Sequence, residues 1–217
     1  MKPHLKHFLF LFLTLIPFII KAQVLKSMAV KMGLSTANQK LEFIGSRYTE
    51  TTEVINGGFC AAELEFLRGK TFRFSSEFSY CQKGYQVLVP ITSASQPDGT
   101  GAYKRIKNKF DYMSFSPQLT IRNQGDPLSP YIGIGPRVDY LFTFRTDGVK
   151  QSTSNINSTV FGLNVFTGVE YQLNDVGLFF EAKYMHDFTH ASDQFFFMSK
   201  NRALILTLGV RINLTDK

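Results

Sequence analysis

Near its C-terminal end the chain reads RALILTLGVRINL, residues 202–214, where Leu204, Leu206, Leu208, Val210, Ile212 and Leu214 occupy the even positions and Thr207, Gly209, Arg211 and Asn213 fall among the odd ones. A period of two separates two faces only in a strand, because a helix, with 3.6 residues per turn, scatters the same residues around its axis. TVFGLNVFTGVEYQL, residues 159–173, repeats the pattern: Phe161, Leu163, Val165, Val169 and Tyr171 share one face, and Gly162, Asn164, Gly168, Glu170 and Gln172 share the other. A chain with one unbroken apolar face and one polar face per strand must put a nonpolar environment on one side of its sheet.

Eight such segments can be read, at about 25–36, 58–67, 71–86, 109–122, 130–145, 159–173, 177–188 and 201–214. Each reaches or exceeds the roughly 9 to 11 residues with which a tilted strand crosses a bilayer. The links between them alternate in length. Short ones lie at Arg68-Gly69-Lys70 and near Asn174, with a medium one at 123–129; long polar ones lie at 37–57, 87–108, 146–158 and 189–200. Asn56-Gly57-Gly58, Gln96-Pro97-Asp98-Gly99, Gly125-Asp126-Pro127 and Thr146-Asp147-Gly148 carry turn chemistry. An even number of strands with links sorted short and long is the pattern of an all-β, eight-stranded, antiparallel up-and-down transmembrane barrel. Its short turns and both termini are expected on the periplasmic side.

The N-terminus agrees with that destination. Lys2 and Lys6 precede an apolar run over 8–20, followed by Lys21-Ala22-Gln23, the layout of a cleaved signal peptide. Cleavage after Ala22 is expected, so that residues 1–22 form the leader and 23–217 one barrel domain, with no cysteine at the cut for lipid attachment. Loss of Lys2, Lys6 and Lys21 lowers the formal charge from +7 to +4, and the basic residues are scattered. A nucleic-acid partner is therefore not expected.

If the apolar face meets lipid, parity sends Lys31, Glu63, Glu65, Arg73, Glu77, Lys83, Arg137, Asp139, Glu170, Glu181, Lys183, Asp187 and Arg211 to the interior: six basic and seven acidic residues. Near-balance suits a narrow interior, since a charge removed from water needs a partner, and an eight-stranded barrel is just wide enough for side chains to fill it. A plugged, charged lumen is expected, without an open channel. In YIGIGPRVDYLFTF, residues 131–144, this parity turns Gly133, Gly135, Arg137 and Asp139 inward and Ile132, Ile134, Val138, Tyr140 and Phe142 outward. Arg137 and Asp139 stand roughly 7 Å apart along their strand. Each is therefore expected to pair with a neighbouring strand, with Glu77, Glu170 or Glu181 as candidates for Arg137. Phe72, Phe78, Tyr80, Phe115, Phe144, Tyr171, Tyr184 and Phe188 join the outward set as interfacial aromatics. Asp111 is the misfit, outward by parity and expected at headgroup level.

Other constellations read as structural. Cys60 and Cys81 fall on opposite faces, which disfavours a disulfide unless a bulge switches one segment. His186 faces outward and Asp187 inward, so with His190 and Ser192 they form no catalytic set on one face. His186 and His190 lack a third metal ligand, and Gly133-Ile134-Gly135-Pro136 lacks the Lys-Ser/Thr of a phosphate loop. No cofactor is expected. Pro117 and Pro136 fall inside strands, where bulges are the expected accommodation.

The hairpin GFCAAELEFLRGKTFRFSSEFSYCQKGYQV, the strand YIGIGPRVDYLF and the closing RALILTLGVRINL resemble the PorT-like outer-membrane β-barrel family. Glu77, Tyr80, Gln82, Lys83 and Gly84 match its E-x-x-Y-x-Q-K-G pattern. The resemblance implies a small barrel of the Gram-negative outer membrane, without catalytic residues, with outer-membrane lipid around it and envelope or secretion-pathway proteins as partners. A departure is the tail Thr215-Asp216-Lys217, where many such barrels end on an aromatic. The expected function is binding or envelope structure by a monomer, with a small pore as the alternative and a lipid-modifying enzyme behind it.

Overall fold

The computed structural model describes residues 25–43, 49–69, 71–91, 101–123, 127–151, 156–193 and 197–214. The leader, the turn at 96–99 and the tail at 215–217 lie outside the described residues. Among the described residues eleven strands follow in order: β1 (Ser27–Phe43), β2 (Thr49–Thr51), β3 (Ile55–Arg68), β4 (Phe72–Pro90), β5 (Tyr103–Arg122), β6 (Leu128–Thr146), β7 (Val149–Lys150), β8 (Thr159–Leu173), β9 (Val176–Asp187), β10 (Ser192–Asp193) and β11 (Phe197–Asn213). The eight long ones form an antiparallel meander, β1-β3-β4-β5-β6-β8-β9-β11. Pairing of β11 with β1, from Ser27↔Asn213 to Phe43↔Phe197, closes the ring. Closure gives each of the eight long strands a neighbour on both sides, the condition for strands in lipid.

Alternation along each strand sorts the side chains as the sequence pattern does. On β11, Leu204, Leu206, Leu208, Val210 and Ile212 are exposed on the outside, whereas Thr207 and Arg211 are buried inside. Exposed aliphatic and aromatic residues continue around the ring, including Met32 and Leu34 on β1, Phe72 and Phe78 on β4, Ile132 and Ile134 on β6 and Phe180 on β9. A belt of that extent is far larger than the apolar patches water-soluble proteins expose. Lipid, not water, is the solvent it suits.

The strand ends that the short connections join, at Arg68 and Phe72, Arg122 and Leu128, and Leu173 and Val176, lie at one rim with Ser27 and Asn213, and the strand ends that the long connections join lie at the other. Asn174 adopts φ 51° in the β8–β9 turn, a left-handed conformation that Asn tolerates. At the long-loop rim the strands run further than the lipid-facing pattern indicates. β4 and β5 stay paired out to Pro90↔Tyr103, and β1 and β11 out to Phe43↔Phe197. The apolar alternation stops where the belt stops, but the ladder does not need it. For the same reason Asn56-Gly57-Gly58 lies within β3, paired with β1, and makes no turn.

A bulge between Asp111 and Tyr112 shifts the β5–β6 register. Beyond it, Phe144 turns inward onto Phe110, ring centroids 4.7 Å apart and interplanar angle 16°. Its expected outward placement is thus corrected. The two strand prolines behave differently from expectation as well. Phe115↔Val138 and Leu119↔Ile134 keep one register, and the three rungs between them, where Pro117 faces Pro136, are absent. The ladder is interrupted there without a bulge.

Candidate functional site in the barrel interior

All thirteen charged residues assigned inward by parity lie in the lumen, and none is more than 3% exposed. They divide into two ion-paired groups. Near the short-turn rim, Lys31 Nζ contacts Glu63 at 2.7 Å, Glu77 at 2.8 Å and Glu181 at 3.2 Å. Lys183 Nζ shares Glu77 at 2.6 Å and Glu181 at 3.4 Å. Arg211 contacts Glu63 at 3.0 Å, Glu65 at 3.0 Å and Glu170 at 3.3 Å. Arg73 completes the group on Glu65 at 3.1 Å and Glu170 at 3.2 Å. This group holds five carboxylates and four cations. Arg68 at the rim, with its guanidinium on Glu65, and Arg122, with Nη1 3.9 Å from Glu170, bring the cations to six.

The second group lies towards the long loops. Lys83 Nζ meets Asp139 at 2.6 Å and Asp187 at 3.3 Å. Arg137 Nε meets Asp139 at 2.8 Å, and its Nη2 is paired with Asp187. None of Glu77, Glu170 or Glu181 is its partner, and the expectation that Arg137 and Asp139 pair only with other strands is corrected. They share a face two positions apart, and the long Arg side chain bends along the strand to close the gap. Arg137 Nη1 also donates to Asn164 Oδ1 at 2.8 Å, and Asn201 Nδ2 donates to Asp187 Oδ2 at 2.8 Å. Cys81 on β4 and Met185 on β9, within a buried apolar cluster with Phe59 and Ile205, separate this group from the first. Two positions along from those residues lie Lys83 and Asp187.

Parity also implied a set of residues the charge pattern overlooked. Lys31 lies over the rings of Phe166 and Phe179, 5.8 and 5.7 Å from their centroids. Lys183 lies over Phe59 and Phe166, each at 5.4 Å, and Lys83 over Tyr112 at 5.1 Å. A ring face attracts a desolvated cation, so these aromatics are part of the charge network. Phe166 has the parity of Asn164, and Phe179 that of Glu181, which is the signal that could have placed them inside.

Asp111 lies eight residues into β5 and is 1% exposed, so its expected place at headgroup level is corrected. On the outer side of the bulge it accepts hydrogen bonds from Tyr80 Oη and Gln82 Nε2, both at 2.8 Å, and pairs with Arg145 at 3.0 Å. Cys60 is exposed, Cys81 buried, and both are free thiols. His186 is outward between Tyr184 and Phe188, with ring centroids 6.4 and 5.9 Å away, while Asp187 is inside. Among the described residues no group of three His, Cys, Asp or Glu is arranged to hold a metal ion.

A closed meander of eight long strands with an apolar exterior and an ion-paired interior defines a transmembrane β-barrel. Among solved structures, the chain is similar to Neisserial surface protein A (NspA), with a TM-score of 0.52 and 16% identity over 86% of this chain and 97% of that one. It is also similar to the outer membrane protein OprG from Pseudomonas aeruginosa, TM-score 0.48, 12% identity, covering 88% and 97%. A third similar structure is the outer membrane protein AlkL, TM-score 0.47, 13% identity, covering 88% and 92%. The fold is that of the small outer-membrane β-barrels. No protein-family model matches the chain, and no curated protein matches it.

Proposed function

We propose that the protein is a monomeric integral barrel of a Gram-negative outer membrane, with its termini on the periplasmic side, whose rigid body presents four long loops to an envelope or secretion-pathway partner. The observation that carries this reading is the combination of a lipid-suited belt with a fully ion-paired lumen. Side chains that line a water-filled path would be wetted, whereas the lumenal charges are buried. The interior therefore acts as a plug that stiffens the barrel, and the chain is no pore. The leader pattern of residues 1–22 supports export to that membrane.

The finer resemblance, to PorT-like barrels, gains a physical rationale from its motif. Glu77 joins the first ion group and Lys83 the second, while Tyr80 and Gln82 hold Asp111 on the other side of the same strand. Each side of β4 thus uses motif residues. A non-enzymatic role is supported by the outward ring of His186, which shares no face with Asp187.

Cell fractionation and electrophysiology test the reading. The mature protein is expected in the outer-membrane fraction, with heat-dependent mobility on gels and no steady current in planar bilayers. Recovery in the soluble periplasm, without detergent, would sink the barrel reading. Steady ion currents would overturn the plug and favour the pore.

A further inference from the structure

Just beyond the apolar belt, on the long-loop side, three cations stand in cross-strand register. Lys109 on β5 is directly opposite Arg145 on β6, and Arg145 is directly opposite Lys150 on β7. Neighbouring strands are about 4.8 Å apart, and like charges placed directly opposite each other destabilise a sheet. The row faces away from the lumen, because Asn108 and Phe110 on either side of Lys109 are buried inside. Lys107, exposed two positions further along β5, extends it. Two carboxylates accompany it: Asp111, on Arg145 at 3.0 Å, and Asp147 in the β6–β7 turn, which accepts the backbone N–H of Lys107 and pairs with Lys104 at 3.5 Å. Among the described residues, Lys109 Nζ is held by the neutral Gln82 Oε1 at 3.1 Å. Among the described residues neither Lys107 nor Lys150 pairs with a carboxylate. Directly below lie Met113, Tyr140 and Phe142, exposed apolar residues of the belt.

We propose that this row on β5–β6–β7 is a docking surface for the phosphate of a lipid headgroup in the leaflet on the long-loop side. The bulge at Asp111 builds it: the extra residue in the register turns Phe144 in and Arg145 out, bringing Arg145 level with Lys109. Repulsion within the row is relieved when an anion lies across it, and an anion at this height, with an acyl chain running down over Phe142 and Met113, is the phosphate of a membrane lipid. The proposal rests on the membrane-barrel reading.

The test uses the folded protein in non-ionic detergent, with bound phosphatidylglycerol or phosphatidylcholine counted by native mass spectrometry. The double variant Lys109→Gln/Lys150→Gln removes two charges and leaves the Arg145–Asp111 pair intact. Phosphatidylglycerol is expected to bind in preference to phosphatidylcholine, and the double variant to lose roughly 10- to 30-fold in affinity for it. Lys40→Gln/Lys200→Gln, which takes the same charge from the opposite wall, leaves binding unchanged. Equal binding of the two lipids, or equal loss in both variants, overturns the proposal. Displacement by inorganic phosphate at the lipid's own concentration overturns it in favour of a free-phosphate site. Heat-dependent gel mobility of the parent tests the barrel separately: its absence sinks the barrel reading and this one together, whereas its presence with non-selective lipid binding sinks this one alone.

Discussion

Arg137 on β6 reaches Asp187 on β9 across an intervening strand, because the residue that stands between them on β8 is Gly162. The register runs Arg137↔Gly162 and Gly162↔Asp187, so the three lie in one row on the lumenal face. A Cβ at Gly162 would come 2.5 Å from the His186 backbone oxygen and 2.7 Å from Arg137 Nη2. Gly162→Ala is therefore expected to push the guanidinium off Asp187 and to destabilise the folded barrel by roughly 1 to 3 kcal/mol, the usual range for overpacking. Urea unfolding of the reconstituted protein measures this. Unchanged stability would mean that the guanidinium does not cross over β8.

Removing the cation itself has a larger effect. Arg137→Ala leaves Asp139 and Asp187, both buried, to share Lys83. Breaking a buried pair by deleting one partner costs roughly 3 to 5 kcal/mol, and a loss of that size is expected in the same unfolding experiment. Lys40→Ala serves as the contrast: Lys40 pairs with Glu42 at 3.2 Å on the partly exposed rim, and its loss is expected to stay within about 0.5 kcal/mol. Similar losses in the two variants would contradict a dry interior.

How much of this was legible follows from what parity can and cannot carry. The position of Arg137, Asp139, Glu170 and Arg211 on the lumenal face needs only the period of two, which holds wherever the ladder is regular. The partner of each depends on the tilt and stagger of strands that meet through the lumen, and no local pattern encodes that. Parity therefore puts Asp187 on the same face as Arg137 without marking it as the mate. Phe144 failed for a different reason, since one bulge inverts every side chain beyond it and its site carries no glycine to advertise it. The row Lys109, Arg145 and Lys150 was hidden by the same bulge.

Asp147 ties the β6–β7 hairpin to β5. It and Gly148 adopt φ 50° and 84°, the left-handed pair that a two-residue hairpin turn requires. Its Oδ1 accepts the backbone N–H of Lys107 at 2.9 Å. That hydrogen bond, helped by the ammonium of Lys104, holds the Asp147 carboxyl below the ordinary range. A lowered folded pKa gives a contribution that is complete above the ordinary value of about 3.9 and is lost as pH falls through the lowered one. Amide exchange at Lys107 is expected to accelerate below about pH 4 relative to Asp147→Asn, whose side-chain oxygen accepts at every pH. Identical pH profiles in the two proteins would rule the tie out.

Pro117 and Pro136 face each other at a rung of the β5–β6 seam where both strands lack the N–H the ladder needs. The absence of three consecutive rungs around them, with register preserved on either side, fits a hydrogen-bonded pair position from which both donors are missing. One acceptor is partly served from the side, since Ser116 Oγ donates to the Pro136 carbonyl at 2.8 Å. Pro117→Val together with Pro136→Val supplies two donors without disturbing the register. With a net worth of roughly 0.5 to 1.5 kcal/mol per bond, the double variant is expected to gain about 1 to 3 kcal/mol in urea unfolding, and each single variant about half. A double variant less stable than the parent would mean that the gap sets the curvature of this wall, so that closing it strains the ring.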